Sequence, residues 1–477
     1  MEKKNYLKQF LIIGSGTLIT MIISVITTPI LTRIMNPESY GLFSLFKTYS
    51  LIGVMVMSLG LDQSLVRFYY NENNIDYKRN LIRQCTFLPI IVTLLISMGI
   101  IGLAFFNIIN YGLCTVIILC IYTFFQILNR MSVLVVRLEY NAKTYSILRI
   151  LEKLSFLIFV ILLLIIMKGR EFIASSIAIT LSVALSSIFG IFFQKENWNF
   201  KEIKNKKEIW NLNLLKYGLP FVLSNGISEL FMAADKLSLN IYCSYSEIGV
   251  YSSAVNLVNI FAILQQVFNT LWAPMSIEHY EKDNDDRVFY QKANQYITII
   301  MFAFGFTVLL FKDLFALILG NKYREAANIL PFLIFNPIMY TISETTVQGI
   351  VFFKKSNLQV IIATITCLLN FGGNFILIPL IGCKGAAIST GISYIVFMLL
   401  RTIFSNKYYY IDFKLKKLFI ITIAAIAFCF YNTFFKFSFI NIIFYCICMI
   451  ILILVYKNSL LELWNISKKY IKQSFKK

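Results

Sequence analysis

The sequence predicts an all-α polytopic membrane protein. The expected architecture has about 14 transmembrane helices: two pseudo-twofold related six-helix bundles and a C-terminal helix pair. Three observations predict it. Apolar runs of about 20 residues, the length a helix needs to cross a bilayer core, follow one another along the chain. Of the 477 residues, 58% are hydrophobic and only 14% charged, where a soluble domain carries about 25% charge. The gaps between runs are short, so no segment remains for a sizeable soluble domain.

Taken in order, the runs cover 9–33, 40–61, 84–107, 112–136, 146–167, 172–193, 215–240, 247–273, 293–312, 327–351, 358–380, 385–406, 416–435 and 438–456. The first is too long for a signal peptide, and no small-x-small cleavage site follows it, so it reads as an uncleaved span. Lysines and arginines crowd into alternate gaps: Lys3, Lys4 and Lys8; Arg67, Lys78, Arg79 and Arg83; Lys195 to Lys207; Lys407 to Lys417; and the tail from Lys468. The intervening gaps on the opposite side hold only Lys168, Arg170, Lys322, Arg324, Lys384 and Lys436. This positive-inside bias predicts that both termini are cytoplasmic. The outer loops are too short for an external domain.

An internal repeat organises the spans. Glu38-Ser-Tyr-Gly41-Leu-Phe-Ser44 opens the second, and Ser246-Glu-Ile-Gly249-Val-Tyr-Ser252 opens the eighth. The glycines are offset by 249 − 41 = 208, and the same offset carries spans 1–6 close to spans 7–12. Six spans are an even number, so both halves share one orientation. The expected division is an N-terminal lobe at 1–193 and a cytoplasmic interlobe linker at 194–214. A C-terminal lobe at 215–406, appended helices at 407–456 and a basic cytoplasmic tail at 457–477 follow. Trp198 and Trp210 suggest that the linker lies along the membrane surface. Pro29, Pro220, Pro331 and Pro337 mark expected bends.

Several function classes are excluded. The net charge of +20 follows membrane topology rather than any nucleic-acid module. Nine cysteines and the single His279 give no metal-ligand spacing; the cysteines read as small apolar filler. There is no phosphate loop, H-E-x-x-H or G-x-S-x-G, and no cofactor motif. A glycan polymerase or ligase would need a sizeable outer loop.

Charges inside spans are costly in lipid and tend to face a wet cavity, whereas Arg33, Asp62 and Arg130, nearer span ends, can instead snorkel to the interface. The cations are Arg33, Lys47, Arg130, Lys153 and Lys236; the acids are Asp62, Glu152, Glu229, Asp235 and Glu344. Glu229 and Lys236, seven apart, lie on one helix face with Asn225 and Met232. A polar stripe in span 1 runs through Ser15, Thr17, Thr20, Ser24, Thr27, Thr28 and Arg33. Spans 1 and 7 correspond under the repeat, so both are expected to line a central cavity; tight helix packing through small residues is the alternative for the hydroxyls.

The motifs Ile30-Leu-Thr-Arg33-Ile-Met-Asn-Pro37-Glu38-Ser-Tyr-Gly41, Tyr217-Gly-Leu-Pro220, Asp235-Lys236, Gly249-Val-Tyr-Ser-Ser-Ala254, Trp272-Ala-Pro274 and Asn370-Phe-Gly-Gly-Asn374 through Gly385-Ala-Ala387 occur in order. In these the chain resembles the polysaccharide flippases of the multidrug/oligosaccharidyl-lipid/polysaccharide (MOP) exporter superfamily, especially O-antigen and capsule repeat-unit flippases. The resemblance implies a V-shaped pair of six-helix bundles in a bacterial plasma membrane. It implies a polyprenyl-diphosphate-linked oligosaccharide as cargo, moved from the inner to the outer leaflet by alternating access. On that basis Lys47, Lys153 and Lys236, with Arg33 and Arg130, are candidate diphosphate contacts. Glu229, Asp235, Glu344 and Asn225 are candidates for a coupling cation or sugar hydroxyls. Membrane lipids, a glycan polymerase and glycosyltransferases are the expected partners. A multidrug cation antiporter and a peptidoglycan-precursor flippase are the alternatives within the superfamily.

Overall fold

The chain is rich in isoleucine and phenylalanine, residues that favour strands in water, yet every regular element described is helical. A bilayer offers no water to unpaired backbone groups, so a span satisfies them internally. The structure, a computed structural model, describes residues 2–108, 112–200 and 211–474. The expected surface placement of Trp210 falls outside these residues.

The chain divides into two compact units, up to Ala233 and from Ala234. The first contains α1 (Glu2–Ile34), α2 (Pro37–Met57), α3 (Leu61–Phe68), α4 (Ile75–Phe105), α5 (Leu113–Leu138), α6 (Ala142–Ile166) and α7 (Glu171–Phe193). It also holds the first part of α8 (Leu212–Tyr242). In this unit α5 and α6 pack against α7, α1 against α6, and α4 against α5. Arg79 Nε donates to the carbonyl of Glu196 (2.7 Å), and Trp198 packs on the cluster of Leu61, Leu65 and Tyr69. The start of the segment after α7 is therefore docked on α3 and α4.

The second unit takes the rest of α8 and then α9 (Tyr245–Val258), α10 (Ala262–Lys282), α11 (Arg287–Leu310) and α12 (Lys312–Leu317). α13 (Ala326–Leu333), α14 (Phe335–Thr346), α15 (Gln348–Phe352), α16 (Ser356–Ile381) and α17 (Cys383–Asn406) follow. The C-terminal elements are α18 (Leu415–Phe434), α19 (Phe439–Val455) and α20 (Lys457–Ser474). Here α17 packs on α13, α14 and α16, and the pair α18–α19 packs on α11 and α13. Pro331 and Pro337 bracket the break at Ile334 that splits the expected tenth span into α13 and α14. The tail from 457, expected only as basic, is helical as far as Ser474. Its Glu462 pairs with Lys292 of α11 (3.0 Å).

The repeat is visible in how helices begin. Asn36 caps α2, its side chain accepting from Ser39 N–H (2.7 Å). Ser244 caps α9 with a reciprocal capping box to Glu247. The caps are separated by 244 − 36 = 208 residues, the offset of the sequence motif. In both, a side-chain oxygen satisfies an otherwise orphaned N–H of the first turn.

Among the described residues, ten helices are long and apolar enough to cross a membrane, or up to twelve if each of two bent pairs is one span. This is fewer than the fourteen expected. α6 carries Arg149, Glu152 and Lys153, and α8 carries Asn225, Glu229, Asp235 and Lys236. Their polarity keeps both helices out of that count. The bent pairs are α9 with α10, at 45°, and α19 with the start of α20, at 77°.

Candidate functional site

In the first unit the candidate charges converge on α5. The bend between α2 and α3 turns at Gly60, whose φ of +67° favours glycine. It aims Asp62 inward, where the residue is 4% exposed. Arg130 of α5 donates to Asp62 Oδ2 through Nη2 (2.7 Å) and Nε (3.2 Å), and Gln63 adds a third bond (2.9 Å). The Arg130 side chain nonetheless stays 41% exposed. Glu229 of α8 lies within its electrostatic reach. One residue before Arg130, Asn129 donates to Glu152 Oε2 (3.0 Å) and accepts from Ser186 (2.9 Å). Glu152 also lies 3.7 Å from Lys153 and 3.6 Å from Arg149.

The other candidates of this unit stand apart from that cluster. Lys47 lies over the Phe43 ring, 4.7 Å from its centroid. Arg33 is exposed near the end of α1, and Asn225 is exposed on α8. The hydroxyls of α1 from Ser15 to Thr28 hydrogen-bond carbonyls three or four residues back in their own helix. That back-bonding satisfies them without a ligand.

In the second unit Asp235 is caged. Its Oδ2 accepts from Tyr251 Oη (2.5 Å) and Thr390 Oγ1 (2.6 Å). Its Oδ1 accepts from the amides of Asn374 (3.0 Å) and Asn370 (3.2 Å). α8, α9, α16 and α17 thus meet on one carboxylate. Beside it, Asn374 Oδ1 is buried with no hydrogen-bond partner among the described residues, an acceptor left over in a nest of oxygens. Lys236 follows Asp235 in sequence and is half-buried.

Glu344 of α14 is paired as well: Arg401 of α17 donates to it (2.7 Å) and to Ser343 (2.7 Å). The guanidinium lies over the rings of Tyr340 and Phe397, at 5.6 and 5.1 Å. Sequence reasoning missed Arg401; its signal was an arginine inside the last turns of an apolar run. It also missed Lys312, which is fully buried. That ammonium donates to Asn328 Oδ1 (3.0 Å) and to the carbonyls of Asn432 (2.5 Å) and Phe435 (3.3 Å). Backbone partners leave no trace in a sequence.

These helices, with several charged side chains paired in their midst, are those of a multi-pass membrane protein. The chain superposes on a lipid II flippase MurJ in an inward closed conformation, with a TM-score of 0.69, 16% identity, and coverage of 95% of this chain and 99% of that one. It also superposes on an inward-facing multidrug resistance MATE family transporter of the MOP superfamily, with a TM-score of 0.57, 15% identity, and coverage of 82% and 94%. At these identities the likeness is one of fold. The polysaccharide biosynthesis protein family matches residues 6–279, more than half of the chain, and the chain belongs to that family. An uncharacterized membrane protein of Methanocaldococcus jannaschii, MJ1068, is 25% identical over 415 residues, 81% of each chain.

Proposed function

We propose that this protein flips a polyprenyl-diphosphate-linked oligosaccharide, the repeat unit of an O-antigen, capsule or similar surface polysaccharide, from the inner to the outer leaflet by alternating access. It does so in a bacterial plasma membrane with both termini cytoplasmic. Glycosyltransferases supply the cargo and a glycan polymerase consumes it. The observation that carries this reading, within a polysaccharide biosynthesis family, is Arg130. A guanidinium eight residues inside a span lies about 12 Å from the helix end. It is tolerated there, partly exposed, only beside water. Fixed on Asp62, it offers its remaining donors to an anion, and phosphate oxygens match that fork.

Lys47 and Lys153 of the same unit are the supporting diphosphate contacts, and Lys236 and Arg33 are weaker ones. The Asp235 cage is the better candidate for a coupling cation. A carboxylate among hydroxyl and amide oxygens suits a hard monovalent ion. Glu344, neutralised by Arg401, and the exposed Asn225 are left to sugar contact.

Clean deletion of the gene in its host is the test. The expected result is loss of a surface glycan with its lipid-linked precursor retained inside the cell. Normal surface glycan, in a strain with no second homologue, refutes the reading. In proteoliposomes, Asp235→Asn is expected to abolish any dependence of flipping on an imposed cation gradient.

A further inference from the structure

The first unit holds a cleft of about 520 Å³ between α3 and the start of α8. Its walls are fixed. Gly60 and Gly218 cross in backbone contact, and Ser64 Oγ donates to the carbonyl of Leu214 (2.6 Å). The Tyr217 and Phe221 rings, one helical turn apart on α8 with centroids at 5.3 Å, form an aromatic wall. Phe68 packs edge-on against Tyr217 (5.6 Å). Arg67 stands opposite, exposed, and among the described residues it has no ion-pair partner. The amides of Gln63 and Asn71, with Val66 and Tyr70, complete the lining. Gln63 also donates to Asp62, so the cleft adjoins the carboxylate that holds Arg130.

Each part of the lining has a matching chemistry. An unpaired guanidinium recognises phosphate oxygens bidentately. Aromatic faces stack on the C–H surface of a pyranose ring, and side-chain amides donate to and accept from its hydroxyls. The volume suits a drug-sized ligand and exceeds what a lone phosphate would fill. In the proposed orientation, α3 follows an inward-running span and α8 starts at the cytoplasmic side, so the cleft opens to the cytoplasm. We propose that this Arg67–Tyr217–Phe221 cleft is the inner docking site for the sugar-diphosphate head of the cargo, engaged before the head meets Arg130. The proposal rests on the flippase reading and deepens it.

The test uses the full-length protein in phosphatidylcholine nanodiscs. The probes are farnesyl-diphosphate-linked N-acetylglucosamine, farnesyl diphosphate and dihexanoyl phosphatidylglycerol. Arg67→Ala is expected to weaken both diphosphate probes about tenfold or more, since hydrogen bonds to charged groups are worth that much. Arg67→Lys should restore part of the loss. Phe221→Ala is expected to weaken the sugar-bearing probe alone. Unaltered thermal melting of each variant shows that it is folded. Equal affinity of wild type and all variants overturns the cleft, and if wild type still binds and flips the sugar probe, the flippase reading survives. Displacement of the sugar probe by phosphatidylglycerol, with no gain from the sugar, makes the cleft a phospholipid headgroup site and overturns the proposal. A wild-type protein that neither binds nor flips the sugar probe removes both.

Discussion

Gly60 and Gly218 are expected to be the most sensitive small residues in the first unit. The Cβ of an alanine at Gly60 would fall inside the contact shell of the Gly218 carbonyl, with the φ of +67° unchanged. Left-handed backbone costs a residue with a Cβ about 1–2 kcal/mol, and overpacking costs about 1–3 kcal/mol more. The obstacle is backbone, which cannot rotate away. Gly60→Ala should therefore destabilise by about 2–5 kcal/mol. Gly218→Ala meets Gly60 O at 2.8 Å and Leu59 O at 2.9 Å without the backbone strain, so about 1–3 kcal/mol is expected. Gly99, with nothing within 4 Å of an added Cβ, is the control and should lose nothing. Membrane proteins commonly unfold irreversibly, so the comparison is a ranking. The assay is the fraction of detergent-solubilised protein that stays monodisperse after heating. The expected order of melting temperature is Gly99→Ala equal to wild type, then Gly218→Ala, then Gly60→Ala. Wild-type melting of Gly60→Ala, or a larger loss at Gly218→Ala, would refute this account of the crossing.

Other predictions follow from buried groups of the second unit. Lys312→Ala leaves three acceptors without a donor and should cost about 3 kcal/mol, seen as early melting in the same heating assay; unchanged melting would mean that Lys312 does not cap α18. The Cys383 thiol donates to the carbonyl of Glu247 (3.3 Å), and Cys243 lies beside that thiol. Mild iodine oxidation, which converts two thiols to a disulfide with release of two equivalents of hydrogen iodide, should link these two. A linked peptide by mass spectrometry is the readout, and preferential linkage of any other pair would contradict the juxtaposition.

Much of this was legible in the residues. The starts of α2 and α9 followed from the 208-residue repeat, because capping is local chemistry written in three or four positions. The membrane class followed from run lengths, composition and the short gaps between runs. Arg130 and Glu229 were found because an ionised group in an apolar run is conspicuous, and the structure brings the two near one another. What stayed hidden depends on partners distant in sequence. Nothing local to Asp235 announces Asn370, Asn374 and Thr390, although both asparagines stood in a recognised motif. Glu344 reads as a free acid until Arg401 is seen opposite it, and Lys312 is held mostly by main-chain carbonyls. The helix from Lys457 was missed because search by long apolar runs passes over an amphipathic surface segment.

The way Arg130 is held on Asp62 bears on selectivity. A free arginine side chain surrenders about 2 kcal/mol of rotameric freedom when it clasps an anion. Here the contact with Asp62 already restricts the side chain at folding, so in the proposed role an anion would meet a directional receptor instead of a wandering positive charge. Such a receptor discriminates by the angle at which oxygens approach, and a lysine in its place would keep the attraction while losing that sense of shape.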